Sequence, residues 1–163
     1  MKNLIVLTLV VLGFAAVSHA QRISPNAIGL RLGDSDGFGA EISYQRALGM
    51  DNRLEVDFGW RDNNGSDGVK GVGLYQWVFP FDGNFNWFVG AGGGFGYVNV
   101  DLPGGGSTDD AFFLIAGDIG IEYNFDFPLL LSLDMRPEIG FGDDAFDNDD
   151  LDFDIALSIR YQF

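Results

Sequence analysis

The chain has 163 residues, with 24 acidic and 9 basic side chains, no cysteine, one histidine, 24 glycines and 16 phenylalanines. A net charge of −15 at pH 7 repels nucleic-acid phosphates, and the missing cysteines exclude a disulfide framework or a thiolate metal site. No stretch beyond residue 20 holds the ~18 unbroken apolar residues that a membrane-spanning helix needs, so a closed barrel is the spanning structure left open to this chain.

Residues 1–20 read as a cleaved signal peptide. Lys2 and Asn3 form a polar start, Leu4 to Val17 an apolar run, and Ser18-His19-Ala20 supplies small residues for cleavage. Cleavage takes Lys2 with it and leaves 8 bases against 24 acids, a net charge of −16. It also removes His19, the single histidine. The remaining chain has no residue for a histidine-based triad or a His/Cys zinc site, so no catalytic residue and no cofactor are expected.

After a short lead over 21–25, eight segments alternate apolar and polar residues with period two, the signature of strands with one wetted and one apolar face. Asn26 to Gly33 sets Ile28, Leu30 and Leu32 against Gly29 and Arg31. Phe38 to Arg46 follows an Asp34-Ser35-Asp36-Gly37 turn and sets Ala40, Ile42 and Tyr44 against Glu41, Ser43 and Gln45. Arg53 to Arg61 sets Leu54, Val56, Phe58 and Trp60 against Glu55, Asp57 and Gly59.

In Val69 to Phe79 the apolar face takes Tyr75, Trp77 and Phe79, while Lys70 and Gln76 turn inward together with Val72, Leu74 and Val78. Asn86 to Asn99 alternates Trp87, Val89, Ala91, Phe95 and Tyr97 with Gly90, Gly92, Gly94 and Gly96. Phe112 to Phe125 sets Phe113, Ile115, Ile119, Ile121, Tyr123 and Phe125 against Asp118, Gly120, Glu122 and Asn124. Leu129 to Ile139 sets Leu129, Leu131, Leu133, Met135 and Ile139 against Ser132, Asp134, Arg136 and Glu138. The last segment alternates without a break, with Phe153, Ile155, Leu157, Ile159, Tyr161 and Phe163 opposed by Asp152, Asp154, Ala156, Ser158, Arg160 and Gln162.

The connections alternate too. Segments 34–37, 62–68, 100–111 and 140–150 are rich in Gly and Asp, whereas 47–52, 80–85 and 126–128 are short. Bacterial barrels keep short turns on the periplasmic side, which places both termini there. Nine residues at ~3.3 Å each, tilted by about 40°, rise roughly 23 Å, close to the ~25 Å apolar band of such barrels.

Over 26–163 the chain resembles the small eight-stranded outer-membrane β-barrels of the OmpA/OmpX/OmpW-like kind, on the signal peptide, the eight alternating strands and the Tyr161-Gln162-Phe163 ending. The resemblance implies an all-β, antiparallel, up-and-down transmembrane barrel in the bacterial outer membrane, in contact with its lipids. It also implies that Tyr161 and Phe163 form the signal read by the barrel-assembly machinery. No peptidoglycan-binding domain follows in this sequence, so an anchoring role is not expected. The expected role is structural or surface-interacting.

The inward residues Arg31, Glu41, Glu55, Asp57, Lys70, Asp118, Glu122, Asp134, Arg136, Glu138, Asp154 and Arg160 are expected to fill the lumen as a polar network, because an eight-stranded barrel is packed with side chains and buried charges need partners. Paired carboxylates such as Glu55 with Asp57 also suit glycoside hydrolysis, a reading that the network outweighs. The even-numbered glycines of the fifth strand are expected to make room for arginines reaching across the bore.

Because lumenal acids outnumber bases, a narrow cation-preferring channel is an alternative. A secreted lipocalin-like carrier is a second, although Asn26 to Gly33 lacks the G-x-W motif of that family. The outer loops hold Asp34, Asp36, Asp62, Asp67, Asp101, Asp109 and Asp110 beside Asp143, Asp144, Asp147, Asp149 and Asp150. The last five lack EF-hand spacing and are the candidates for weak divalent binding between loop and lipid phosphate.

Overall fold

The computed structural model describes residues 23–33, 39–63, 66–101, 107–142 and 151–163. The signal segment, the turn over 34–37 and the five loop aspartates between 143 and 150 lie outside these residues. The described chain is all-β, with strands β1 (Asn26–Leu32), β2 (Ala40–Ala47), β3 (Asn52–Asn63), β4 (Ser66–Asp82), β5 (Phe85–Asp101), β6 (Ser107–Asn124), β7 (Leu129–Gly142) and β8 (Asp152–Gln162). Each pairs antiparallel with the next, and β8 returns to β1, closing the barrel. No helix among the described residues is long and apolar enough to cross a membrane.

The register fixes the geometry. From Arg31 the row of paired residues runs one way through Glu41, Gly59 and Lys70 to Gly96. The other way it runs through Ser158, Ser132 and Glu122 to Asn86. Both routes end on β5, ten residues apart, and this stagger is the shear of the barrel. Eight strands with a shear of ten tilt by about 40° from the axis, within the range that closed barrels adopt.

Alternation then sorts the side chains. Ile28, Leu30, Ile42, Val56, Phe58, Ile119, Leu133, Ile155, Leu157 and Ile159 all point outward and are 43 to 61% exposed. A soluble protein does not expose so continuous an apolar surface. Aromatic side chains gather at both rims: Trp60, Phe95, Tyr97, Phe113 and Phe153 towards one, and Trp77, Phe79, Phe85, Tyr161 and Phe163 towards the other. Phe79 stacks on Trp87 with centroids 4.6 Å apart. An apolar belt between aromatic girdles is the surface that a bilayer covers, and it is the reverse of a carrier barrel, whose apolar face lines a calyx.

Three strands run longer than the sequence pattern indicates. β4, β5 and β6 have 17, 17 and 18 residues, against 7 for β1 and 8 for β2. The stretches 62–68 and 100–111, expected as loops, are largely ladder, with Asn63 paired to Ser66 and Asp101 to Ser107. Past the apolar belt both faces meet water, so the alternation that marks a strand fades while backbone pairing persists. Residues 140–142 likewise belong to β7, with Gly142 opposite Phe112. At the other end the connections are short. Gly83, at φ 55°, sits in the two-residue turn between β4 and β5, a backbone position that favours glycine.

The glycines of β5 serve a different purpose from the one expected. A Cβ on Gly92 would strike the backbone carbonyl of Gly73, and one on Gly96 would strike the Phe112 ring. The space they leave is therefore filled by the adjoining strands and by an aromatic ring, not by arginines. Phe112 joins Val72, Leu74, Val98, Leu114 and Ala116 in a buried apolar cluster. The β4–β6 wall of the lumen is thus partly apolar, which confines the charged groups chiefly to the rest of the bore.

Candidate functional site

The feature with chemistry in it is the lumen. Alternation carries Arg31 of β1, Glu41 of β2, Glu55 and Asp57 of β3, Lys70 of β4, Asp118 and Glu122 of β6, Asp134, Arg136 and Glu138 of β7, and Asp154 and Arg160 of β8 to the inner face. All of them are buried. Strand pairing brings most of them within ion-pair distance across the bore, although their sequence separations reach 123 residues.

Two arginines organise the middle. Arg31 reaches Glu41 at 3.0 Å and Asp134 at 2.6 Å, and also pairs with Asp154. Arg136 reaches Glu41 at 2.9 Å, Asp57 at 3.0 Å and Asp154 at 3.4 Å. Its Nε lies 2.7 Å from Glu138 Oε1, near enough to attract but off the hydrogen-bond direction, since that nitrogen has no hydrogen-bond partner. Lys70 Nζ meets Glu138 at 3.0 Å. Glu41 and Asp154 each take both arginines, so the groups form a continuous web. The planar fork of arginine suits such sharing, because it directs five N–H donors at fixed angles.

A second pair of arginines lies nearer the short turns. Arg160 donates to Ser43 Oγ at 2.9 Å, Ser132 Oγ at 2.8 Å and Glu55 at 3.0 Å. Arg53 donates to Gln76 Oε1 at 2.5 Å and Glu122 at 2.7 Å, and its guanidinium carbon lies 4.9 Å from the centre of the Phe88 ring, a cation–π distance. Gln45 and Asn86 complete the set by donating to Glu55 at 2.5 Å and Glu122 at 3.0 Å. Arg53, Gln45, Gln76, Asn86, Ser43 and Ser132 thus belong to the network beside the charged groups expected there. Arg53 shares the parity of Glu55 and Asp57, and that is the signal from which its place could be found.

Charge does not balance inside. The described lumenal groups include eight carboxylates and five cations; among the described residues Asp57 Oδ1, Asp118 Oδ1 and Asp134 Oδ2 lack a hydrogen bond, as do Ser158 Oγ and, on the donor side, Arg53 Nη2 and Arg136 Nε. Among the described residues Asp118 is held by Gln76 Nε2 at 2.5 Å alone, with no cation in ion-pair contact. The arginines and Lys70 are nevertheless at most 2% exposed, so the bore is occupied by side chains. Among the described residues no group of carboxylates is placed to hold a metal ion. The contacts tie non-neighbouring strands to one another across the bore.

The seam between first and last strands closes at the rim. Asn26 N donates to Phe163 O at 3.1 Å and Phe163 N to Asn26 O at 2.9 Å. The Tyr161 and Phe163 rings lie outside, stacked with centroids 6.3 Å apart.

No family model matches the sequence, and no curated protein matches it. Solved structures do match in fold. Neisserial surface protein A superposes with a TM-score of 0.60 at 15% identity, over 85% of this chain and 93% of that one. The N-terminal β-barrel domain of Pseudomonas aeruginosa OprF superposes at 0.62 and 13% identity, over 85% and 95%. Ail, the attachment invasion locus protein of Yersinia pestis, superposes at 0.58 and 17% identity, over 86% and 97%. A second structure of Ail holds the heparin analogue sucrose octasulfate. The fold is that of the small eight-stranded outer-membrane barrels.

Proposed function

We propose that the protein is an integral barrel of the bacterial outer membrane with a structural or surface-interaction role and no catalytic one. One observation carries the reading: the exposed face is an apolar belt, while the charged groups described in the wall are buried in the interior. That combination supports a wall set in hydrocarbon with a bore that braces it. The side-chain-filled lumen favours a plugged barrel over a cation channel.

In this reading the termini and short turns face the periplasm, outer-membrane lipids cover the belt, and the β8 ending with Tyr161 and Phe163 is what the assembly machinery engages. The long strands β4, β5 and β6 then rise above the outer headgroups and carry acids there. Asp67 and Asp109 are exposed, and no exposed base accompanies them among the described side chains at that end. A sulfated polyanion of the kind seen on Ail would be repelled by this surface. Divalent cations would be attracted, bridging loop carboxylates such as Asp143, Asp144, Asp147, Asp149 and Asp150 to lipid phosphates without a built cage.

Cell fractionation and gel migration test the reading together. The protein is expected in the outer-membrane fraction, migrating differently before and after boiling, and silent in planar-bilayer conductance. Recovery from the soluble periplasm with unchanged migration overturns it, and steady cation conductance would replace the plugged barrel with the channel.

A further inference from the structure

Of the bases whose side chains are described, Arg31, Arg53, Lys70, Arg136 and Arg160 are buried in the lumen, and Arg46 is exposed. It stands on β2 at an outward position, since Glu41, Ser43 and Gln45 take the inward ones. Its strand partners Asn26 and Leu54 lie at the ends of β1 and β3 where the short turns are. A charge on the outer face of a spanning strand is costly in hydrocarbon and settles at the headgroup level. The nearby aromatic rim agrees with that depth, since Asn26 is bonded through its backbone to Phe163.

Arg46 is also oriented. Its Nη1 donates to Asn26 Oδ1 at 3.1 Å, and the same oxygen accepts the Tyr44 hydroxyl at 2.8 Å. No carboxylate pairs with it among the described residues, although Asp51, Asp82 and Asp126 are exposed at the same end. Beside the guanidinium runs a groove lined by Ile23, Pro25, Ala47, Gly49 and Met50. The groove is held in shape from both sides, with Ala47 N donating to Pro25 O at 3.0 Å and Gly49 N to Asn52 O at 3.3 Å.

We propose that Arg46 and this groove bind the phosphodiester headgroup of one membrane glycerophospholipid, in the leaflet on the side of the short turns. The inference rests on the barrel spanning a bilayer. Charge complementarity identifies the occupant: a guanidinium at headgroup depth with no carboxylate partner among the described residues, on a rim whose other described charged side chains are acids, meets a phosphate through its N–H fork. The acyl chains lie along the outward Ile28, Leu54 and Val56 above it, and the headgroup alcohol lies over Pro25 and Met50. The acids of the same rim repel further phosphates, so the stoichiometry is one.

The test is native mass spectrometry of the refolded chain in detergent micelles, titrated with phosphatidylglycerol, with diacylglycerol as the phosphate-free control. Wild type is expected to retain one phosphatidylglycerol and no diacylglycerol. Arg46→Gln should weaken retention about tenfold, the loss of one charge-assisted contact, and Arg46→Lys should restore part of it. Equal retention by wild type and Arg46→Gln, no retention by wild type, or a second copy of the chain in place of lipid would each overturn the site. The boiling-dependent gel shift of each variant is read in parallel. Its absence in wild type would refute the bilayer reading itself, whereas its presence in Arg46→Gln shows that lost binding is not lost folding.

Discussion

Arg31 of β1 and Asp134 of β7 meet through Nη2 and Oδ1 at 2.6 Å, with Nε adding a second bond at 2.9 Å. The two strands are not neighbours, because β8 lies between them. The contact therefore ties the barrel through its interior, independently of the backbone ladder. Arg31 also holds Glu41 and Asp154, so its removal would leave three buried carboxylates short of a partner. Loss of one member of a buried ion-pair set costs ~3–5 kcal/mol. Arg31→Gln should lower the unfolding free energy by about that amount, measured by urea titration of the protein refolded in lipid vesicles. A change under about 1 kcal/mol would mean that the network does not hold the wall.

Asp118 and Asp134 are both buried acids on the inner face, yet they should respond differently to amidation. Asp134 is paired with Arg31, whereas Asp118 accepts a single bond from Gln76 and leaves Oδ1 without a donor. Asp118→Asn keeps the acceptor, removes an uncompensated charge and should leave stability unchanged or raised. Asp134→Asn should cost about 1–3 kcal/mol through the weakened charge-assisted bonds to Arg31. The same urea titration checks both, and the reverse order would show that the charge on Asp118 is stabilising.

Leu157 and Ser158 are adjacent on β8 and face opposite ways, at 54% and 0% exposure. Leu157→Arg should cost ~2–4 kcal/mol near mid-membrane. Ser158→Ala should cost far less, because the hydroxyl it removes has no partner and an unmade bond contributes nothing. If the two effects came out reversed, the apolar face would point inward.

Gly92 and Gly140 offer a backbone comparison. A Cβ at Gly92 would meet the Gly73 carbonyl, while one at Gly140 would meet nothing within 4 Å. Gly92→Ala should therefore destabilise by about 1–3 kcal/mol, the range for overpacking, and Gly140→Ala should be near neutral. Thermal unfolding of the two variants in the same vesicles distinguishes them.

The strands and their faces were legible in the sequence because one face of each must be apolar and the other polar wherever the wall crosses hydrocarbon. Even β4 sorted correctly, with Lys70, Val72, Leu74, Gln76 and Val78 inside. Legibility stopped where that constraint stops. Asp62, Asp67 and Asp101 sit in ladder that reads as loop, since water on both faces permits any polarity. Alternation could bring Arg31 and Asp134 to the lumen but could not pair them, because the pairing depends on the stagger at closure. The role of Gly96 is hidden for a similar reason: only the register with β6 shows that Phe112 fills its space. Alternation does not single out Arg46, whose meaning lies in being the exposed base among the described side chains while the others described are buried.

The outward orientation of the belt is tested most directly by the native tryptophans. Trp60 and Trp77 are 53% and 42% exposed on the outer face, towards opposite rims, and Trp87 shares that face. In vesicles whose lipids carry bromine on the acyl chains, tryptophan emission should be blue-shifted and strongly quenched, most by bromines placed near the headgroups and least by those at the bilayer centre. Unquenched, red-shifted emission from the folded protein in the same vesicles would mean that the aromatic girdles do not lie in lipid, and would contradict the account.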